Sequence, residues 1–167
     1  MSSPVDFATF YDVAWPRVLR TTYAVCGERQ RAEDAAQTAF AQAYAVWSRV
    51  QRADDPMAYV RRIAVNAALA QGRLAFRRRE LSRDVLPERA HEDDPLAHDE
   101  VWQAVRDLPP RQRAVIVLRY YDDLSERQIA DVLRCRPGTV KSQASAALAT
   151  LRVRLEEPAL RGDHHGA

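Results

Sequence analysis

LPPRQRAVIVLRYYDDLSERQIADVLRCRPGTVKSQASAALATLR, residues 108–152, decides the fold. Within it, Ser125-Glu126-Arg127-Gln128 has the spacing of a capping box: the Ser125 hydroxyl can accept from the N–H of residue 128 while Gln128 reaches back. The helix so opened carries Ile129, Ala130, Val132 and Leu133 on its apolar side. Arg134-Cys135-Arg136 breaks it, and Pro137 starts the next helix where a missing N–H costs no hydrogen bond. Two short helices around a tight break form a helix-turn-helix, whose second helix enters the major groove of DNA.

The wheel of that second helix agrees. Val140, Ala144, Ala147, Leu148, Leu151 and Leu155 form one apolar stripe. The opposite face presents Gly138, Thr139, Ser142, Ser145 and Ala146, flanked by Lys141 and Gln143. An ordinary solvated face would also carry carboxylates. None occurs from Pro137 to Leu155, as a face held between phosphates requires. Arg136 and Lys141 suit phosphates; Ser142 and Gln143 suit base edges, with Thr139 and Ser145 on the same face. The helical elements expected here are 97–107, 109–120, 125–133 and 137–155, forming a module over 97–157, with 158–167 a frayed tail.

Upstream, three helical patterns are expected to form a small bundle over 5–79. The first covers about 5–25, with Pro16 expected to kink or interrupt it. The second covers 28–49 and buries Ala32, Ala35, Ala36, Ala39, Phe40, Ala43 and Trp47. The third opens at Asp54-Asp55-Pro56 and runs to Arg79, with Tyr59, Ile63, Ala67, Ala70 and Leu74 expected on its core side. Gly72 weakens it by about 1 kcal/mol relative to Ala and is expected to bend or end it early. Residues 80–96 have two prolines and no period, so they are expected to be a flexible linker.

Charge divides the chain in the same places. Residues 1–79 carry a net +5, residues 80–100 a net −6, and residues 101–167 a net +3, although the whole chain is only +2. Gly is scarce and no β-rich run occurs, so the expected fold is all-α: two small helical domains joined by an acidic flexible linker.

Two outer faces of the bundle stand out. On the second helix Asp34, Thr38, Ala41 and Ala45, flanked by Gln37 and Gln42, make a small, weakly charged surface suited to another protein's helices. On the third, Arg61, Arg62 and Arg73 interleave with Val65, Leu69 and Phe76 before Arg77-Arg78-Arg79. Such interleaving fits a grip on unwound nucleic acid. Its alternative is a packing face covered by the other module.

Residues 32–44, AEDAAQTAFAQAY, resemble region 2.2 of the extracytoplasmic-function (ECF) sigma factors of bacterial RNA polymerase. Residues 58–66, AYVRRIAVN, are similar to the region 2.4 block of that family, and residues 108–152 resemble region 4. RADDPMAYVRRI together with LPPRQRAVIVLRYYDDLS looks like an actinobacterial subgroup. The resemblance implies a three-helix region 2, a linker and a helix-turn-helix region 4, in the family's order. It implies that Asp34, Gln37, Thr38 and Ala41 dock on the clamp helices of the polymerase β′ subunit, with Phe40 kept for packing. Arg52, Tyr59, Arg62, Asn66 and Arg73 would hold the −10 element. Arg136, Thr139, Lys141, Ser142, Gln143 and Ser145 would read the −35 element. It further implies the β flap, promoter DNA and an anti-sigma factor as partners, and no cofactor. The family often has Arg where this chain has Val65, and related sequences often carry Arg where it has Ala146.

The competing expectation is a stand-alone helix-turn-helix regulator whose bundle dimerises or senses a ligand. An enzyme finds little support: His91, His98, His164 and His165 fall in the linker or tail without zinc or catalytic spacing. Cys26 and Cys135 lie far apart, as suits reduced thiols, and nothing resembles a signal peptide or a membrane span, so a cytoplasmic location without membrane insertion is expected.

Overall fold

The computed structural model describes residues 5–81 and 99–162, and every regular element among them is helical. α1, Phe7–Cys26, starts where the Asp6 carboxylate accepts the Thr9 N–H at 2.7 Å and ends at Gly27, whose φ of 73° lies in the left-handed region that glycine adopts without a Cβ clash. Pro16 sits inside α1 without interrupting it. α2, Arg29–Ala45, buries five alanines and Phe40, and the small side chains let α1 and α4 approach closely. The pattern expected over 28–49 is broken at Val46 (φ −125°), and Trp47–Val50 forms a separate turn, α3.

α4, Pro56–Leu81, opens with the Asp55 carboxylate on the Ala58 N–H at 3.0 Å. It runs unbroken through Gly72, where a Cβ would meet Pro110 Cβ at 3.9 Å, so the expected break does not occur. The second module comprises α5 (Glu100–Arg106), α6 (Pro110–Ile116) widening into one π turn (Val117–Tyr121), α7 (Glu126–Leu133) and α8 (Pro137–Gly162). The capping box forms as expected: Gln128 N–H donates to Ser125 Oγ at 3.1 Å, and Ser125 N–H to Gln128 Oε1 at 2.8 Å. α8 extends past the expected end at Leu155. Of the expected linker, residues 80 and 81 lie on α4 and the rest lies outside the described residues, as do residues 163–167 of the expected tail.

Each module has its own core. In the first, Phe7, Phe10, Tyr11 and Trp15 of α1 pack around Phe40 and Val60; in the second, Leu108, Ile116, Ala147 and Leu151 close α5, α6 and α8. A third cluster joins them, with Ala24, Val25, Val65, Ala68 and Leu69 meeting Ala114, Val115, Leu118, Ile129 and Val132. This corrects two expectations for α4. Its buried residues are Val60, Ala64, Val65, Ala68 and Leu69, whereas Ala70 is exposed and Leu74 is 57% exposed. The helix lies between the bundle and the second module, so burial wraps around it. Val65 and Leu69 are therefore seam residues, not part of a nucleic-acid grip; each fully buried aliphatic side chain contributes about 1.5–3 kcal/mol.

Candidate nucleic-acid interface

α8 is placed by the buried side chains that hold its other face. Val140, Ala144, Ala147 and Leu151 are buried, while Leu148 and Leu155 of the expected stripe remain partly open. Gly138, Lys141, Ser142, Ser145 and Ala146 are exposed, and Thr139 and Gln143 are half-buried. Arg136 is exposed just before the helix, and its carbonyl accepts from the N–H groups of Thr139 and Val140 at 2.9 and 3.2 Å. The Ser142 hydroxyl is directed inward, toward the Gly138 and Thr139 carbonyls at 3.0 and 3.2 Å. Reading a base through Ser142 as donor would exchange that local bond for a base bond. Arg134 ends α7 at φ 52°, unusual for a residue with a Cβ, and that left-handed step makes the break between the two helices tight.

The α4 face is built differently. Tyr59, Arg62 and Asn66 recur along one side, with the Arg62 guanidinium 5.9 Å from the Tyr59 ring centroid. Asn66 Nδ2 donates to the Arg62 carbonyl at 2.7 Å and, across the seam, to the Val132 carbonyl at 2.8 Å. Tyr59, Arg61 and Arg62 line a cleft of about 280 Å³ with Leu124, Gln128, Asp131 and Val132 of the second module. Arg52, in the turn after α3, and Arg73, further along α4, are both exposed and lie outside that cleft. The structure thus gathers Tyr59, Arg62 and Asn66 and leaves Arg52 and Arg73 at the periphery.

On α2, Asp34, Gln37, Thr38 and Ala41 are all exposed and Phe40 is buried. Asp34 is held by Gln30 Nε2 at 3.1 Å, and the Thr38 hydroxyl donates to the Asp34 carbonyl at 2.8 Å. Beside Gln37 and Ala41 lies an aromatic groove of about 250 Å³ lined by Phe7, Tyr11, Trp15, Phe40 and Tyr44. Tyr44, 66% exposed, was not singled out from the sequence; its spacing of three and seven from Ala41 and Gln37 on the same helix was the available signal.

Asp122, which belongs to no local motif, leaves the π turn with its N–H on the Val117 carbonyl at 3.1 Å. Its carboxylate accepts from the Thr21 hydroxyl at 2.9–3.0 Å and lies 3.6 Å from Arg61 Nε. Burial pushes its pKa above the ordinary carboxylate value, opposed by Thr21, Arg61 and Arg17 and reinforced by Asp123. Burial likewise raises the Cys26 thiol, which suits a packing role over reactivity. Arg113 donates to the Val25 carbonyl at 3.1 Å and Arg106 to the Gly27 carbonyl at 2.8 Å, so the second module caps the C-terminus of α1. No described helix is long and apolar enough to cross a membrane, and no described cluster of His, Cys, Asp or Glu could hold a metal ion.

Two family models match the chain in order: Sigma-70 region 2 over residues 11–80, and Sigma-70, region 4 over residues 98–151. The chain is 34% identical over 142 residues to the RNA polymerase sigma-E factor of Streptomyces antibioticus, covering 83% of this chain and 78% of that one. It is 28% identical to the ECF RNA polymerase sigma factor SigW of Bacillus subtilis, covering 90% and 89%. A solved structure of the Bartonella quintana sigma factor RpoE, in complex with the anti-sigma factor NepR, shares the fold at a TM-score of 0.70 and 23% identity, covering 90% of this chain and 97% of that one.

Proposed function

The chain belongs to the sigma-70 family, in its extracytoplasmic-function group, and from that premise we propose that it directs bacterial RNA polymerase to promoters through three separate surfaces. α8 reads the −35 element, with Lys141 and Arg136 on phosphates and Gln143, Thr139, Ser142 and Ser145 toward the groove. The Tyr59–Arg62–Asn66 face of α4, with Arg52 and Arg73 at its edges, takes the −10 element. The Asp34–Ala41 face of α2 docks on the polymerase clamp. The chain contributes binding and no bond chemistry of its own. The β flap and an anti-sigma factor are further partners we infer from the family.

The observation that carries this division of labour is the first part of α8: from Pro137 to Leu155 its exposed face carries no carboxylate, and it follows a tight left-handed break. A solvated helical stretch of that length would ordinarily carry acids among its exposed residues. A stand-alone regulator is disfavoured because both modules match sigma regions in order. The test is run-off transcription with core polymerase across candidate promoters. The expected result is promoter-specific transcript that appears only when the chain and core are mixed. Tight promoter binding by the chain alone, with no complex with core, would overturn it.

A further inference from the structure

We propose that Arg134, in the break between α7 and α8, is a further phosphate-binding residue for duplex DNA, set beside Arg136 by the left-handed turn that it makes itself. This rests on the assignment of α8 to duplex DNA. It adds a cation to that interface from outside the helix.

The backbone of Arg134 is unusual for its side chain. Among the described residues two with a Cβ adopt a left-handed φ, Asp123 at 54° and Arg134 at 52°. Aspartate enters that region readily because its short side chain bonds locally, and glycine enters it without a clash; arginine has neither advantage. The turn needs the conformation, which brings the N–H groups of Arg134 and Cys135 to the Ala130 carbonyl, the second at 3.1 Å, and so ends α7. It does not need an arginine. The last carbonyls of α7 have other donors: Asn66 Nδ2 on Val132 at 2.8 Å and Arg111 Nη2 on Leu133 at 3.2 Å. Asp131, the nearest acid in the sequence, lines the cleft beside Arg62. Among the described residues the Arg134 guanidinium has no ion-pair partner. A cation kept in a costly conformation without an internal partner points to a ligand outside the chain.

Its placement identifies the ligand. Cys135 is half-buried and packs on the core shared by the two modules, while Arg134 and Arg136 on either side of it are exposed. Two residues apart, their Cα atoms lie within about 7 Å of each other. The surface that follows is open: Pro137 and Gly138 are exposed, and a Cβ at Gly138 would meet nothing within 4 Å. Lys141 is exposed one turn further on. Three cations therefore border one open surface, with no carboxylate anywhere from Arg134 to Leu155. Guanidinium groups suit phosphate oxygens in two-point contacts, and such contacts position a protein on duplex DNA without reading its sequence.

The experiment is fluorescence anisotropy of the whole chain on a labelled mixed-sequence duplex of about 30 base pairs, read against salt concentration and paired with thermal circular dichroism. Each phosphate neutralised contributes about −0.9 to the slope of log affinity against log salt. Arg134→Gln should therefore flatten the slope by about 0.9 and weaken binding about eightfold at about 0.1 M salt. Arg134→Lys keeps the charge and should keep the slope. Arg134→Gly should flatten the slope as Arg134→Gln does, yet raise the melting temperature by about 2–4 °C as the left-handed strain is relieved. A purely structural arginine would give the opposite pair: lower stability and unchanged DNA binding.

A slope unchanged by Arg134→Gln would overturn the proposal, as would a lower melting temperature for Arg134→Gly. Equal flattening by Arg29→Ala, whose side chain is 74% exposed on α2, would assign the effect to net charge and overturn it too. Lys141→Ala separates this proposal from the reading beneath it. A slope that responds to Lys141→Ala but not to Arg134→Gln overturns the role of Arg134 alone; a slope that responds to neither overturns the assignment of α8 as well.

Discussion

Arg113→Ala tests the seam where its energetics are clearest. The Arg113 side chain is buried, and it donates to the Val25 and Leu108 carbonyls at 3.1 Å each. Val25 lies in the last turn of α1, whose final carbonyls have no intrahelical partner. Truncation strands both acceptors in a place that water does not reach. Each such group costs about 1–3 kcal/mol, so a loss of about 3 kcal/mol is expected, before any packing lost with the aliphatic stem. Arg113→Met restores the stem but no donor and should keep most of that loss. The control is Arg154→Ala, which breaks a shorter contact, 2.6 Å to Asp107, between side chains 44% and 61% exposed. Solvent screening holds that pair to about 0.5 kcal/mol or less. Urea denaturation followed by far-ultraviolet circular dichroism measures all three. A loss under about 1 kcal/mol for Arg113→Ala, or equal losses for Arg113→Ala and Arg154→Ala, would refute the assignment of the seam's stability to buried acceptors.

Gly72→Ala should stabilise the protein by about 1 kcal/mol in thermal or urea melts, because α4 is already helical there and the new methyl meets Pro110 at ordinary contact distance. Asp34→Ala combined with Gln37→Ala should weaken binding to core polymerase in a pull-down while leaving the melting temperature within a degree or so, since both side chains are exposed; loss of folding would mean the face is misplaced. Lys141→Ala should lower −35-dependent transcription and reduce the salt slope of DNA binding by about one. Asp122 titrates higher in the folded chain than the ordinary 3.8, so the native state holds more protons than the unfolded state just above that value, and stability falls as pH rises through the raised pKa. Asp122→Asn should flatten that part of a urea midpoint–pH profile, and an unchanged slope would assign it to other carboxylates.

Local signals in the sequence reported local structure well. Ser125 and Gln128 form their capping box, Asp55 caps α4, and the apolar stripe of α8 from Val140 to Leu151 is the buried one. These depend on neighbours a few residues apart, which a helical wheel describes. The misses on α4 have one cause. A wheel assigns one inside face to a helix, but α4 is covered on two sides, so the wheel puts Leu74 inward and leaves Val65 and Leu69 on an outer face with two readings, of which packing under the other module is the observed one. Asp122 escaped notice for a related reason: its partners Thr21 and Arg61 are distant in sequence, and only the docking of the modules brings the three together. At Gly72 propensity alone misled, because tertiary contacts on either side of α4 outweigh a penalty of about 1 kcal/mol.

The two departures from the family pattern acquire different meanings in this structure. Val65 takes a place where related chains often carry arginine, and here it is fully buried in the seam. An arginine at that depth without a partner would cost several kcal/mol, so closing the modules in this way requires an apolar residue there. The cation absent from position 65 is matched nearby by Arg61 and Arg62, of which Arg61 is held by Asp122. Ala146 has no such counterpart: it is exposed on α8, and the face proposed for DNA keeps Lys141 as the cation between Pro137 and Thr150. A reading helix with one cation gains little counterion release by itself. It becomes useful when the other contacts raise its effective concentration at the promoter. On the proposed division of labour, α8 with that single cation therefore depends on polymerase to link its contact to the one proposed for α4.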